Sequence, residues 1–185
     1  HLGLMYVDEQ LIGKMENQSH FFKKGVSRSM LTPAGPDHAQ IAASQGIIDY
    51  FDAVYAHHFG GDAPPAQRNK ALNTLFHAHE EALMAPLLDF LAGREDVRLL
   101  GPKQVGSRAP IVSMVPLKKD IGSVYASLTA SKIMLGSGDF YAVRPLMDME
   151  IPTDPGVIRM SFMHYTSPGE INQLIEALES ALGPN

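Results

Sequence analysis

Val157-Ile158-Arg159-Met160-Ser161-Phe162-Met163-His164-Tyr165-Thr166-Ser167-Pro168-Gly169-Glu170 is the stretch from which the rest of the chain is read. Its first part, residues 157–164, is apolar and extended, a strand. Its end is a capping box with proline at the first helical position: Ser167 covers the N–H three residues on, and Glu170 reaches back. The helix that follows buries Ile171, Leu174, Ile175, Leu178 and Leu182, which recur at helical spacing. One residue interrupts the strand's apolar run. A guanidinium at Arg159 has to find an anion or a wet cleft, because an unpaired charge in apolar surroundings is too costly. Its planar fork of N–H donors matches a carboxylate. An edge-strand arginine in solvent, or one in a structural ion pair, is the alternative.

Upstream of that stretch the pattern alternates. Residues 97–100 and 111–115 read as strands separated by a turn with glycine and proline, and Asp120 caps a helix to about Ala130. Ile133-Met134-Leu135 reads as a short strand, Gly136-Ser137-Gly138 as a turn, and Phe140-Tyr141-Ala142-Val143 as extended chain before the turn Asp154-Pro155-Gly156. Strands mixed with helices in this way mean a small α+β or α/β domain. The clearest boundary is Gly60-Gly61-Asp62-Ala63-Pro64-Pro65. Before it, Asp37 caps a helix to about His58, with Ile41, Ile48, Phe51, Val54 and Tyr55 on one face and Gly46 marking a close contact or merely tolerated. After it comes a helix over residues 66–92, with Leu72, Leu75, Phe76, Leu83, Leu87, Leu88 and Leu91 as its buried stripe and Pro86 expected to kink or divide it. Residues 8–15 read as a short helix, and residues 16–36 as loop.

The opening, His1-Leu2-Gly3-Leu4-Met5-Tyr6-Val7, reads as an interior strand. Helices follow it, and a buried strand without a sheet leaves backbone groups unpaired. The expectation is therefore the C-terminal part of a larger protein. Pairing with the later strands, or a simple chain boundary, is the alternative.

Composition excludes several classes. The chain has 185 residues, 45% of them apolar and 19% charged, enough to bury a core in one domain or one domain and part of another. Fifteen basic against twenty acidic residues give a net charge of −5, which argues against nucleic acid as a partner. No apolar run approaches the roughly 20 residues of a membrane-spanning helix, so no membrane role is expected. The absence of cysteine removes disulfides, cysteine-ligated zinc and a cysteine nucleophile from this chain, and it fits a reducing, cytoplasmic setting. His77, His79, Glu80 and Glu81 do not make a metal site: histidines two apart on a helix face different ways, and HExxH is missing. A solvated polar face accounts for them, and no metal is expected.

Three segments together resemble the class V aminotransferase family, which includes cysteine desulfurase-like enzymes using pyridoxal 5'-phosphate. They are the opening strand; Leu31-Thr32-Pro33-Ala34-Gly35-Pro36-Asp37-His38-Ala39 leading into Gly46-Ile47-Ile48-Asp49-Tyr50; and Gly138-Asp139-Phe140-Tyr141-Ala142-Val143-Arg144 with the stretch quoted first, where Tyr165-Thr166-Ser167 stands for the family's Tyr-Asn-Thr. The resemblance implies the fold type I architecture, of which this chain is the C-terminal part. Residues 1–60 would be a remnant of the large cofactor-binding domain with its connecting helix, and residues 61–185 the small C-terminal α/β domain. It also implies a homodimer when complete, a small amino-acid substrate, and a Schiff-base lysine lying just before His1 and so missing from this chain. No catalytic residue is then expected within the chain itself. Arg159 would match the arginine that binds the substrate α-carboxylate.

Two departures qualify the resemblance. The family's phosphate-binding loop often carries glycine-threonine. Here Gly35 is followed by Pro36, and Thr32 is the nearest threonine, which leaves Thr32 and Gly35 as the cofactor-binding candidates. The desulfurases' Gly-x-x-Cys appears as Gly138-Asp139-Phe140-Tyr141, so Tyr141 lines the pocket where their cysteine attacks sulfur. A phenol cannot carry a persulfide, so no persulfide-forming activity is expected. Transamination, racemisation and β-elimination stay open. The competing expectation is a non-catalytic α/β fragment or degenerate homologue acting as an interaction domain.

Overall fold

The structure, a computed structural model, describes residues 3–35 and 37–184. Contacts divide the chain into His1–Leu72 and Asn73–Asn185, and each unit is described by itself.

In the first unit, α1 (Glu9–Ile12) is capped by Asp8, whose carboxylate accepts from Gln10 N–H. The segment expected to be loop holds a 3-10 turn, Phe21–Lys23, and α2 (Ser27–Met30). α3 (His38–Phe59) begins at Asp37, whose carboxylate accepts from the N–H groups of Ala39 and Gln40. α4 (Pro65–Ala92) starts in this unit, where Arg68 reaches Asp52 at 3.5 Å and Asp62 at 3.9 Å. Two expectations change. Residues 3–7 form no strand, and Leu4 and Tyr6 are exposed; His1 and Leu2 lie outside the described residues. On α3, Tyr55 is buried, but Ile41, Ile48 and Phe51 face solvent. A Cβ at Gly46 would meet nothing within 4 Å, so that glycine marks no close contact.

The second unit is built on a sheet of β1 (Val97–Leu100), β2 (Ile111–Pro116), β3 (Gly136–Gly138) and β4 (Val157–Ser161), in the order β1-β2-β4-β3. Every pairing is antiparallel, so the unit is α+β rather than a parallel α/β layer. Alternation decides what each face does. Val112, Met114, Ile158 and Met160 point to one side and are at most 2% exposed. There they join Leu83, Leu87 and Leu91 of α4, with α5 (Ile121–Ala130) and α7 (Pro168–Leu182), in one apolar core. α4 continues undivided through Pro86. Asp120 and Ser167 cap α5 and α7, and the Ser167–Glu170 capping box is present.

The other face carries a smaller core of Leu100, Leu146, Ile151 and Val157. Here the reading of residues 133–143 is corrected. The strand is Gly136–Gly138 rather than residues 133–135. The chain after it turns instead of extending, with φ of 52° at Phe140 and 61° at Tyr141, and enters α6 (Val143–Asp148). The glycines pair because β4 offers an open edge and Gly156, at φ 77°, packs so closely that a Cβ there would overlap the Gly138 backbone.

Candidate functional site

Arg159 lies on the second face of β4, because its neighbours Ile158 and Met160 take the core side. Register places it in a row across the sheet: Leu100 opposite Ser113, Ser113 opposite Arg159, and Arg159 opposite Gly136. Three features of that row decide what the arginine can do. Ser113 is small. Gly136 has no side chain, and the Phe140 ring takes the space, so that a Cβ on Gly136 would stand 2.8 Å from two ring carbons. The guanidinium carbon then sits 3.7 Å from the Phe140 ring centroid, a cation–π contact.

The left-handed turn at Phe140 and Tyr141 makes this possible by sending the two rings different ways. Asp139 braces it: one carboxylate oxygen accepts from Tyr141 N–H at 3.0 Å, and its carbonyl accepts from Ala142 N–H at 2.8 Å.

Arg159 is half-buried in an open cleft of about 360 Å³, walled by Leu100, Gly101, Leu146, Met149, Val157 and Phe140, with Ser113 and Asp139 as polar neighbours. Among the described residues no carboxylate lies within 4.0 Å of its guanidinium and no oxygen accepts from it. The other cations nearby are engaged. Arg108 donates to the carbonyls of Leu100, Pro102 and Ile111, and burial pushes its pKa below the ordinary arginine value. Arg98 donates to the Met149 carbonyl at 2.7 Å. These bonds fix the loops that form the cleft's rim.

The other candidates fall elsewhere. The Tyr141 side chain is fully exposed and is not part of the cleft wall, although its backbone neighbours Phe140. Thr32 and Gly35 belong to the first unit and are exposed; Thr32 N–H donates to Ser29 O at 3.1 Å, and Pro36 lies outside the described residues. His77 stands 3.9 Å from Glu80, His79 meets the Thr166 carbonyl at 2.8 Å, and no metal-holding cluster occurs among the described residues. No helix among them is long and apolar enough to cross a membrane. Sequence reading missed Phe140 and Gly136. The glycine in Gly136-Ser137-Gly138 signalled a turn, and only the strand register shows that it clears a place for the ring beside Arg159.

The model of the family Aminotransferase class-V matches residues 70–174, more than half of the chain and nearly all of the sheet unit. The chain belongs to this family. It is 25% identical over 185 residues, 98% of the chain, to the aminotransferase-like protein FGM3 of Gibberella zeae, and it spans 43% of that relative's length. Two solved structures share the fold. The apo cysteine desulfurase of Thermococcus onnurineus NA1 is 23% identical with a TM-score of 0.55, over 63% of this chain and 28% of that one. A NifS-like protein of Rickettsia africae ESF-5 is 19% identical with a TM-score of 0.51, over 63% and 31%. The family depends on pyridoxal phosphate. The cleft around Arg159 does not fit that cofactor by itself, because no lysine among its lining residues offers an amine for a Schiff base.

Proposed function

We propose that this class-V aminotransferase chain is the substrate-holding part of a pyridoxal-phosphate enzyme acting on an amino acid, with Arg159 binding the α-carboxylate. One observation supports the reading above the others: a half-buried guanidinium, held on an aromatic ring, without an acid partner among the described residues. A structural arginine would have found its carboxylate, as Arg94 has in Asp96 at 2.7 Å. In this reading residues 1–60 are the remnant of the large domain and residues 61–185 the small one. Thr32 and Gly35 lie toward the cofactor phosphate, Tyr141 closes the pocket once the complete homodimer forms, and the rest of the protein supplies the lysine and the cofactor.

Kinetics of the full-length, cofactor-loaded protein test it. Arg159→Met should raise KM for the amino acid about 100-fold, the value of a charge-assisted bidentate pair, while kcat changes far less. An unchanged KM removes Arg159 from the substrate site. The same protein given cysteine should carry no persulfide on this chain, since Tyr141 stands where the desulfurases have their nucleophile and the chain has no cysteine. A protein-bound persulfide, trapped by alkylation and located on it, would reverse that assignment.

A further inference from the structure

We propose that the Arg159 cleft selects a monocarboxylate carried on an apolar chain, so that the amino acid has an aliphatic or aromatic side chain rather than an acidic one. This rests on the reading that Arg159 binds the substrate's acid. The cleft has one cationic anchor and a largely apolar wall. Leu100, Leu146 and Val157 are each at most 8% exposed and belong to the second core, with Met149 and Phe140 packed against it. An apolar group laid on the part of this wall that faces the open cleft displaces water from apolar surface and strips no hydration from polar groups.

The anchor is similarly limited in what it accepts. Phe140 covers one side of the guanidinium, and a ring face takes no in-plane N–H bond, so the N–H fork is left for oxygen acceptors. Ser113, directly opposite on β2, lines the same cleft and adds a hydroxyl. A second acid group on the ligand would find no second cation among the described lining residues. Arg98 and Arg108, close by, are tied to carbonyls. It would instead meet apolar wall and the Asp139 carboxylate, and like charge at close range is repulsive. The volume of about 360 Å³ leaves room for a branched or aromatic group.

Calorimetric titration of the full-length protein with 4-methylpentanoate, glutarate and 4-methylpentanamide tests the inference. 4-Methylpentanoate should bind at least about tenfold more tightly than glutarate, the value of burying two or three methylenes against one stranded acid, and the amide should bind weakly. Met149→Lys, at the partly buried rim, should shift the preference toward glutarate. Arg159→Met should abolish binding of both acids. Glutarate binding as well as or better than 4-methylpentanoate, with both lost in Arg159→Met, overturns the apolar selection and leaves the carboxylate role of Arg159 standing. Binding of either acid that survives Arg159→Met overturns both.

Discussion

The two faces of the four-stranded sheet put one strand to opposite uses. On β4, Ile158 is fully buried and Met160 nearly so, and both pack into the core with α4, α5 and α7. Between them Arg159 faces a cleft with an aromatic ring for support and, among the described residues, no carboxylate within 4.0 Å of its guanidinium. The contrast sharpens when two arginines are compared. The side chain of Arg94 is 6% exposed, donates twice to Asp96 at 2.7 Å and once to the Gly183 carbonyl at 2.8 Å, and so ties the segment before β1 to the end of α7. Arg159 has the same chemistry and none of that satisfaction. The two arginines differ in burial and in partners alike, and on the reading proposed above a ligand's acid takes the place at Arg159 that Asp96 takes at Arg94.

The largest expected effect breaks the structural arginine. Arg94→Met leaves the Asp96 carboxylate, 5% exposed, without its partner and should cost roughly 3–5 kcal/mol in urea denaturation at pH 7. Its pH dependence has a definite sign. In the native protein the hydrogen bond from Arg94 holds Asp96 below the usual carboxylate range, against the opposing effect of burial. That stabilisation is present above the unfolded value of about 4 and is lost as pH falls through the folded one. In Arg94→Met burial remains and pushes the carboxyl up, so acidification should narrow the gap between variant and parent. A gap that stays constant from pH 7 to pH 3 would show that Asp96 does not titrate against Arg94.

Next comes the core face of β4. Ile158→Ala removes a fully buried side chain from a packed cluster, and roughly 2–5 kcal/mol should be lost in the same assay. A loss below about 1 kcal/mol would mean that this face collapses around the cavity and is less tightly built than its burial suggests.

What the sequence made legible follows the same division. The strands and helix of the core were readable, because the apolar runs of β2 and β4, the stripe of α7 and its capping box are local signals, and burial enforces them. Arg159 was readable for the converse reason, as one charge inside an otherwise apolar run. The segment between α5 and β4 was not. Ile133-Met134-Leu135 has strand composition, yet the Gly136–Gly138 segment takes the edge of the sheet, because what decides pairing there is closeness to Gly156, a contact distant in sequence. Pro145 hid α6, although proline is well placed in a helix's first turn, where it removes no hydrogen bond. The opening residues misled for a third reason: apolar composition promises burial, and in the described residues Leu4 and Tyr6 are largely exposed. The support that Phe140 gives Arg159 was beyond reach, since it depends on the register that sets Gly136 beside the arginine.

That support can be disturbed without touching the arginine. Gly136→Ala drives a methyl into the Phe140 ring, at a strain cost of roughly 1–3 kcal/mol. The ring's displacement should also weaken carboxylate binding by the full-length protein, because the guanidinium loses its platform. Phe140→Leu should weaken binding in the same sense without the clash, and Phe140→Tyr should preserve it, since a phenol ring has the same face. Unaltered binding in Phe140→Leu would reduce the stack to a packing contact.

The smallest effect on stability belongs to Arg159 itself, and it completes the comparison. Arg159→Met keeps an unbranched, though shorter, side chain, and it forfeits a cation–π interaction of about 1 kcal/mol or less at a half-exposed site. No carboxylate among the described residues is orphaned by the change, which is the feature that makes Arg94→Met so costly. Denaturation should thus rank the two methionine variants several kcal/mol apart, while carboxylate binding ranks them the other way, retained in Arg94→Met wherever it remains folded and lost in Arg159→Met. If both variants lost stability equally, Arg159 would be holding the fold together through a partner, and the second face of the sheet would be a structural surface like the first.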